Sequence, residues 1–446
     1  MFINGRTHWI LGWVVFAGTA AASQPAWSEP SSTPSEIQLL RQEIKTLREH
    51  SALLEQRLNA LTVKQQNIEA QTQATGRQKA TQIESIQHTA QSAPPKAAPE
   101  APSDNDQKSL KEKVEAINLH GAALFGYSYR PHKGKSHRDR LGSAGGSQFR
   151  VGFDSQVNDI LFDVQYRFYS FGDMFHHATM GYRFDPTWRL DGGVVQVPFG
   201  KLPYASRDYW WGLPFFVGLE DDHDAGLVLS GDFEDWKLKL GFFKNEEYGS
   251  ATRTARYGID IIQSSTASQT NMENNQFNLH LTRDLQWGSD TKVELGGSAQ
   301  WGQLYNESTL RNGHHWAGAL HMSADRGPIN LTLEGIRYEY HPENPASITN
   351  KSIMMGGMGG SYMVASEGWL GDINLSYTKP MEKWGPLKEI TFYDHYSILK
   401  KDPDGWHDSH INALGMMFNA KPIYVYMDYT VGKNTIWIGD SGKEPS

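Results

Sequence analysis

The chain has 446 residues and no cysteine, which excludes disulfides, thiol catalysis and cysteine-ligated metals. Its formal net charge of −8 argues against nucleic acid as a general partner. Aromatic residues make up 12% of the chain, yet the mean hydropathy is polar at −0.55. Apolar residues spread this thinly are typical of strands with one apolar face and one wet face.

Residues 1–28 have the layout of a secretory signal peptide. A charged start precedes the apolar segment Trp9–Gly18, and small residues follow it. This segment is too short for a spanning helix, which needs roughly 20 apolar residues. We expect export, with cleavage after Ser28 or, as the alternative, after Ala22. An uncleaved anchor is the less favoured interpretation.

Residues 35–66 are predicted to form a periplasmic coiled coil, because apolar residues recur at alternating spacings of three and four. The predicted core positions are Ile37, Leu40, Ile44, Leu47, Leu54, Leu58 and Leu61. The alternative is an amphipathic helix that packs on its own domain. Residues 67–113 offer nothing to pack on, since they are rich in Gln, Ala, Ser and Pro, and are predicted to be a flexible linker.

From residue 117 to residue 438 the periodicity changes to two. The clearest strand alternates Phe162, Val164, Tyr166 and Phe168 with Asp163, Gln165 and Arg167. Tight turns such as Glu234-Asp235 alternate with the long polar loops 131–146, 198–224 and 246–272. The predicted fold is all-β, a transmembrane antiparallel β-barrel of about 16 strands within a range of roughly 14–18, with a polar tail over 439–446. A soluble β-sandwich or propeller is the alternative, but no fixed-period repeat supports a propeller.

Cations recur on the polar face of the strands and are predicted to line the pore. These residues are Arg150, Arg167, Arg183, Arg189, Lys237 and Lys239. The loop 198–224 is predicted to fold inward as a constriction. Its candidate residues are Tyr204, Arg207, Trp210, Trp211, Glu220, Asp221, Asp222 and Asp224.

A basic wall that faces an acidic loop would set a transverse field across a narrow pore. Ordinary solvated barrel charges with no selective role are an equally weighted alternative. The aromatic residues of the loop could stack on solutes, although packing against the wall is the favoured interpretation.

No catalytic residue, metal site or cofactor is predicted. The acidic run Glu220–Asp224 is rich in oxygen ligands but lacks EF-hand spacing. His176-His177 and His314-His315 are adjacent pairs, and alternation would point their side chains to opposite faces of a strand. No nucleophile elbow is present, so we expect the protein not to be an enzyme.

The layout resembles the coiled-coil-prefixed trimeric porins of Gram-negative bacteria. The barrel looks like the phosphate-selective O/P porin superfamily, and the likeness is carried by residues 196–201 (QVPFGK) and 422–429 (PIYVYMDY). This resemblance implies a sixteen-stranded, trimeric passive channel. Ile at a and Leu at d in the heptads favour two helices instead. Such barrels usually end on an aromatic residue, whereas this chain ends in a polar tail, so the insertion signal is either internal or the last strand lies elsewhere.

The predicted function is a porin-like diffusion channel for small hydrophilic solutes, with a mild preference for anions, in the Gram-negative outer membrane. Its expected partners are outer-membrane lipid, further copies of the same chain in a homotrimer, and the solutes. The alternative is a non-conducting barrel that acts as an envelope tether or adhesin, in which the coiled coil is the working part.

Overall fold

The structure is a computed structural model that describes residues 8–17, 117–130, 138–209, 212–264 and 269–435. The predicted coiled coil, the linker up to residue 113, the polar tail, Trp210 and Trp211 lie outside the described residues. The first strands are β1 His8–Ala17, β2 Ile117–Ser128, β3 Ser143–Val157, β4 Ile160–Tyr169, β5 Gly172–Arg183 and β6 Trp188–Gln196. The short helix α1 Leu213–Phe216 comes next.

The remaining strands are β7 His223–Phe233, β8 Trp236–Glu246, β9 Asp260–Ile261, β10 Asn271–Trp287, β11 Thr291–Asn306, β12 Arg311–Arg326, β13 Ile329–His341, β14 Ser352–Gly357, β15 Gly360–Ala365, β16 Glu367–Trp384, β17 Leu387–Lys401, β18 Ser409–Ala420 and β19 Ile423–Lys433. Within the described ranges, sixteen of these strands form one closed barrel, and β9, β14 and β15 form a separate three-stranded sheet. From β2 to β19 each barrel strand pairs antiparallel with its neighbours in the chain. The predicted all-β barrel of about 16 strands is confirmed.

Strand β1 completes the barrel in an unusual way, because it pairs parallel with both β2 and β19. Without β1 the barrel has fifteen strands, which alternate in direction. Because fifteen is odd, the first of them, β2, and the last, β19, run in the same direction. The same residues belong to the predicted signal peptide. Export and cleavage stay predictions.

The two rims of the barrel differ as the sequence predicts. One rim carries tight turns such as Asn158-Asp159, Glu234-Asp235 and Lys421-Pro422. Each of them joins two strands with only two residues between them. Long connections lie on the other rim, among them 197–222 and 247–270. The turn at Lys421-Pro422 belongs to the tight-turn rim, like the other turns between strands that follow each other in the barrel in this way.

Alternation along the strands gives the barrel an apolar outside and a polar inside. In β10, Phe277 and Leu279 are exposed on the outer face, whereas Asn278 and His280 are buried on the inner face. An outer face of this kind suits contact with lipid chains. No helix among the described residues is long and apolar enough to cross a membrane.

One part of the barrel interior is filled by a second apolar cluster. Phe215 and Phe216 of α1 pack with buried residues of the three-stranded sheet, such as Ile353, and with Tyr338 and Tyr340 on the inner face of β13. We call this the filled side. The inner faces of β2 to β6 border open space instead, and we call this the open side.

Candidate functional site

The loop between β6 and β7, residues 197–222, crosses the barrel interior. The Gly200 N–H donates a hydrogen bond to Ser298 Oγ at 2.9 Å, and Lys201 Nζ lies 3.0 Å from Glu294 Oε1. Further along, the Leu213 N–H donates to Ser397 Oγ at 2.8 Å. These partners lie on β11 and β17, so the loop is fixed to strands far from the two that it joins.

Two glycines let the loop backbone approach the inner wall closely. Gly200 has a φ of +63°, and a Cβ built there would lie 2.3 Å from Glu334 Oε1. A Cβ at Gly212 would lie 2.6 Å from Asp372 Oδ1. Any larger residue at either position would push the loop away from the wall carboxylates.

The inward loop lies between two cavities in the barrel. The larger has a volume of about 890 Å³ and borders the open side, and the smaller has a volume of about 830 Å³ and reaches the tight-turn rim at Asp235 and Asp284. Tyr204, Ser206 and Asp208 line both cavities. Residues 203–208 are therefore the segment past which a solute would move from one cavity to the other.

The predicted pore cations divide into two groups. Arg150, Arg167 and Arg189 line the larger cavity. The described lining of the two cavities does not include the other three predicted cations, Arg183, Lys237 and Lys239. Lys237 instead pairs with Asp284 at 2.6 Å, and Arg183 lies beside the 184–187 turn.

Arg150 and Arg167 differ from Arg189, the third cation of the larger cavity, in their charged neighbours. They face each other directly across β3 and β4. Among the described residues no carboxylate lies within ion-pair distance of either, whereas Arg189 pairs with Asp191 at 2.6 Å. The Arg167 guanidinium lies 4.4 Å from the ring centre of Tyr257. Two like charges in direct register cost stability, and Arg183 and Arg189 form a second such pair across β5 and β6.

Most of the predicted loop carboxylates are not in the lumen lining. Glu220, Asp221, Asp222 and Asp224 are all buried, and only Asp221 belongs to the described lining of the two cavities. Glu220 Oε1 accepts the Ala205 N–H at 2.6 Å and so holds the loop together. Burial, with the nearby charge of Asp372, raises the pKa of Glu220 well above its usual value. Of the four carboxylates predicted to form an acidic face of the loop, Asp221 is the one that borders the larger cavity.

The sequence analysis missed Asp208, which lines both cavities. Asp208 Oδ2 lies 2.6 Å from His395 Nδ1, and His395 Nε2 lies 3.0 Å from Asp372 Oδ1. This buried carboxylate–imidazole–carboxylate chain links the loop to β17 and β16. The inward alternation of β17 could have indicated His395, but nothing in the sequence shows which loop residue it meets.

The aromatic residues of the loop have different environments. Phe215 is only 2% exposed and packs in the filled side, as the favoured interpretation predicts. Tyr204 is 46% exposed and lines both cavities, and the exposed Arg207 lines the smaller one.

A second inward connection, residues 247–270, is fixed by a buried arginine. The Arg256 side chain is fully buried, and it pairs with Asp260 at 2.9 Å and with Glu246 and Glu247 at 3.6 Å. Burial raises the pKa of Asp260 and of Glu247 above the usual values. Acidic groups outnumber the single guanidinium here, so this region is under electrostatic strain.

The expectation that adjacent histidines face opposite sides holds for His314-His315 and is wrong for His176-His177. His314 is exposed and His315 is buried. In β5, however, a register shift opposite Gln165 and Tyr166 leaves His176 unpaired in the ladder. Both His176 and His177 consequently line the larger cavity. A bulge of one residue is what reverses the face.

No protein-family profile matches the chain, and no curated protein matches it. Among solved structures it is similar to OmpT, an outer membrane protein of Vibrio cholerae in its trimer form. That match has 13% identity, covers 71% of this chain and 88% of that one, and has a TM-score of 0.43. The outer membrane channel DcaP of Acinetobacter baumannii matches at 10% identity over 71% and 95% of the two chains, with a TM-score of 0.39.

A porin refined at 1.8 Å resolution matches at 12% identity over 72% of this chain and 96% of that chain, with a TM-score of 0.38. At these identities and scores we base the fold on the barrel geometry of this chain itself. The resemblance to the O/P porin superfamily stays a prediction.

Proposed function

We propose that the protein is a porin-like passive diffusion channel for small hydrophilic solutes in the Gram-negative outer membrane. The observation that carries this proposal is the position of residues 203–208, which line both interior cavities. An inward loop that narrows an aqueous path inside an apolar-coated barrel is the arrangement by which such channels sort solutes. We propose no catalytic step.

A mild preference for anions would depend on Arg150 and Arg167. The larger cavity also contains Asp163, Asp191 and Asp221. Arg189 is neutralised by Asp191, so the two facing arginines provide the cationic part of the wall. We therefore expect the preference to be weak and to depend on these two residues rather than on all six predicted cations.

The homotrimer and the periplasmic coiled coil belong to the same proposal. They rest on the heptad pattern of residues 35–66 and on the porin resemblance. Cross-linking of the full-length protein is expected to give a ladder of three rungs. A ladder that stops at two would favour the heptad preference over the family.

Single-channel recording in planar bilayers tests the channel directly. Purified, folded protein is expected to give discrete conductance steps. Folded protein that shifts on heating in gels but gives no conductance would contradict the channel, and would favour the alternative of an envelope tether or adhesin.

The reversal potential in a KCl gradient tests the anion preference. The Arg150→Ala/Arg167→Ala variant is expected to shift this potential towards cation selectivity, because it removes the unpaired positive charge of the larger cavity. Arg183→Ala is the matched control, since Arg183 is an arginine of β5 outside the described cavity lining. An equal shift in both variants would show that the selective field does not arise from the facing pair.

A further inference from the structure

The bulge in β5 brings three histidines together at the wall of the larger cavity. His176 and His177 reach the cavity from β5, and His223 reaches it from the first position of β7. The ring centres of His176 and His223 lie 4.2 Å apart, and those of His176 and His177 lie 5.0 Å apart. One ring nitrogen from each of the three lies within 4.8 Å of the other two.

Hydrogen bonds determine which nitrogen is free on two of these rings. His177 Nε2 lies 2.9 Å from Asp163 Oδ1, and because an ionised carboxylate only accepts, Nε2 carries the proton. The lone pair of His177 is then on Nδ1, which lies 2.7 Å from His176 Nδ1. His223 Nδ1 lies 3.2 Å from the backbone oxygen of Asp221, so this nitrogen donates and Nε2 is the free one.

A ring that donates one N–H to a carboxylate or backbone oxygen and offers its other nitrogen is the usual state of a metal-bound histidine. Imidazole nitrogens suit divalent metals of the Zn²⁺, Ni²⁺ and Cu²⁺ group. Zn–N distances of about 2.0–2.1 Å require tetrahedral ligand nitrogens about 3.3 Å apart. One ring nitrogen from each histidine already lies within 4.8 Å of the other two, so the proposed site requires the rings to rotate towards the ion when it binds.

We propose that His176, His177 and His223 form a binding site for one divalent transition-metal ion of the Zn²⁺ class. Asp221 provides compensating charge, since its carboxylate oxygens lie 4.0 Å from His176 Nε2 and from His223 Nδ1. Three protein ligands leave a fourth coordination position, which faces the cavity and is open to water or to a solute.

With this site, the wall of the larger cavity would bind a metal ion. This goes beyond passive diffusion, and the binding itself does not depend on whether the barrel conducts. If the barrel does conduct, as proposed above, then micromolar Zn²⁺ is expected to reduce the conductance of the wild-type channel but not of the triple variant His176→Ala/His177→Ala/His223→Ala.

Metal binding is measured on full-length protein in detergent, purified without a histidine tag. Zn²⁺ is titrated against a chromophoric chelator, and Co²⁺ is used as a spectroscopic probe. Wild-type protein is expected to bind one ion per chain and to show the visible bands of tetrahedral Co²⁺. Each single histidine-to-alanine variant should weaken binding by at least about tenfold, since one of three ligands is lost.

Asp163→Asn separates a metal site from a packed cluster of rings. It leaves the three ligands in place but removes the carboxylate that orients His177, and it is expected to lower Zn²⁺ affinity by about 10–100-fold. His410→Ala is the matched control, because His410 bonds to Tyr396 away from the cavity and should leave the affinity unchanged.

A spectrum of Cu²⁺-loaded wild-type protein tests the site without any variant, so the proposal can still be tested if the variants fail to fold. Electron paramagnetic resonance is expected to show coupling to three nitrogens. Wild-type protein that shows neither tetrahedral Co²⁺ bands nor nitrogen-coupled Cu²⁺, or a triple variant that binds Zn²⁺ as tightly as wild type, would overturn the site. A protein that binds metal but never conducts would overturn only the proposed channel.

Discussion

The open side and the filled side of the barrel interior are both built from antiparallel strands, but the inner faces of these strands differ in polarity. On the open side, Arg150 and Asp163 point inward and border the larger cavity. On the filled side, Tyr338 and Leu304 point inward and are fully buried beneath the inward segments. At these positions the inner face is polar where it borders the cavity and apolar where α1 and the three-stranded sheet cover it.

The difference shows what each side depends on. The filled side excludes water, so its stability depends on packing and on the pairing of buried charges such as Arg256. The open side borders the larger cavity, and if the barrel conducts as proposed, its charges act on solutes more than on stability. Changes on the filled side should accordingly alter folding, and changes on the open side should alter conduction.

The largest expected effect concerns the seam of the open side, where β1 separates β2 from β19. Gly12 of β1 pairs with Leu124 on one side and with Tyr424 on the other. If the signal peptide is cleaved, as the sequence predicts, β2 and β19 come into contact. The pair Leu124→Cys/Tyr424→Cys is then expected to oxidise to a disulfide, because adjacent strands lie about 4.8 Å apart and a disulfide spans Cα atoms up to about 6.8 Å apart.

The chain has no cysteine of its own to compete in this experiment. Leu124→Cys/Gln148→Cys is the positive control, since these two residues face each other on β2 and β3. Intact-mass measurement reports whether residues 1–28 are removed. A processed protein in which only the control pair cross-links would contradict direct contact between β2 and β19.

The next largest effect should follow truncation of Phe215. Phe215→Ala removes a side chain buried in the filled side, and it is expected to lower the free energy of unfolding by about 3–5 kcal/mol. Tyr204→Ala on the same loop is the control, and its exposed ring should change stability by less than about 0.5 kcal/mol. Urea titration in detergent measures both. Equal losses would show that the two parts of the loop do not differ in packing.

The sequence predicts the features that follow from the alternation of polar and apolar residues along a strand. It does not predict where a single extra residue shifts the strand register, or where a loop packs inside the barrel. The inward position of Arg150 and Arg167 follows from the period of two. His176 does not, because a bulge reverses its face and leaves no mark in the sequence. The difference between Arg183 and Arg189 is equally hidden, since the two face each other across β5 and β6 and only Arg189 belongs to the described lining of the larger cavity.

The filled side was predicted least well. Every residue of β14, Ser352–Gly357, is buried, and a period of two is lost when both faces of a strand are buried. Burial of Glu220 was missed for a related reason. Acidic residues in a long loop are normally solvated, and only the tertiary contact with the Ala205 N–H shows otherwise.

Removal of Arg256 tests the electrostatic part of the filled side. Arg256→Ala leaves Asp260 and Glu247 without a buried cation and is expected to cost about 3–5 kcal/mol in the free energy of unfolding. Arg326→Ala is the control, because its exposed pair with Asp290 should contribute only about 0–1 kcal/mol. Urea midpoints distinguish the two, and similar small losses would contradict a stabilising role for the buried ion pairs.

The same groups predict a dependence of stability on pH. Burial raises the pKa values of Asp222, Glu247 and Asp260 in the folded protein. A raised carboxyl pKa contributes stability below the unfolded pKa, and this contribution is lost as pH rises through the folded pKa. The urea midpoint is therefore expected to fall as pH rises above the unfolded carboxyl pKa values of about 4, and less steeply in Glu247→Gln. A wild-type midpoint that rises over this range would contradict the assignment.

The smallest expected effect comes from one hydrogen bond that fixes the loop where it enters the filled side. The Leu213 N–H donates to the buried Ser397 Oγ, so Ser397→Ala leaves a buried donor without its acceptor. The expected cost is about 1–3 kcal/mol, because desolvation of the donor is no longer offset. Ser361→Ala, at an exposed position of β15, is the control. If Leu213 marks the boundary between the packed part of the loop and the part that borders the cavities, Ser397→Ala should also increase current noise in bilayers. A loss of stability with unchanged noise would place that boundary elsewhere in the loop.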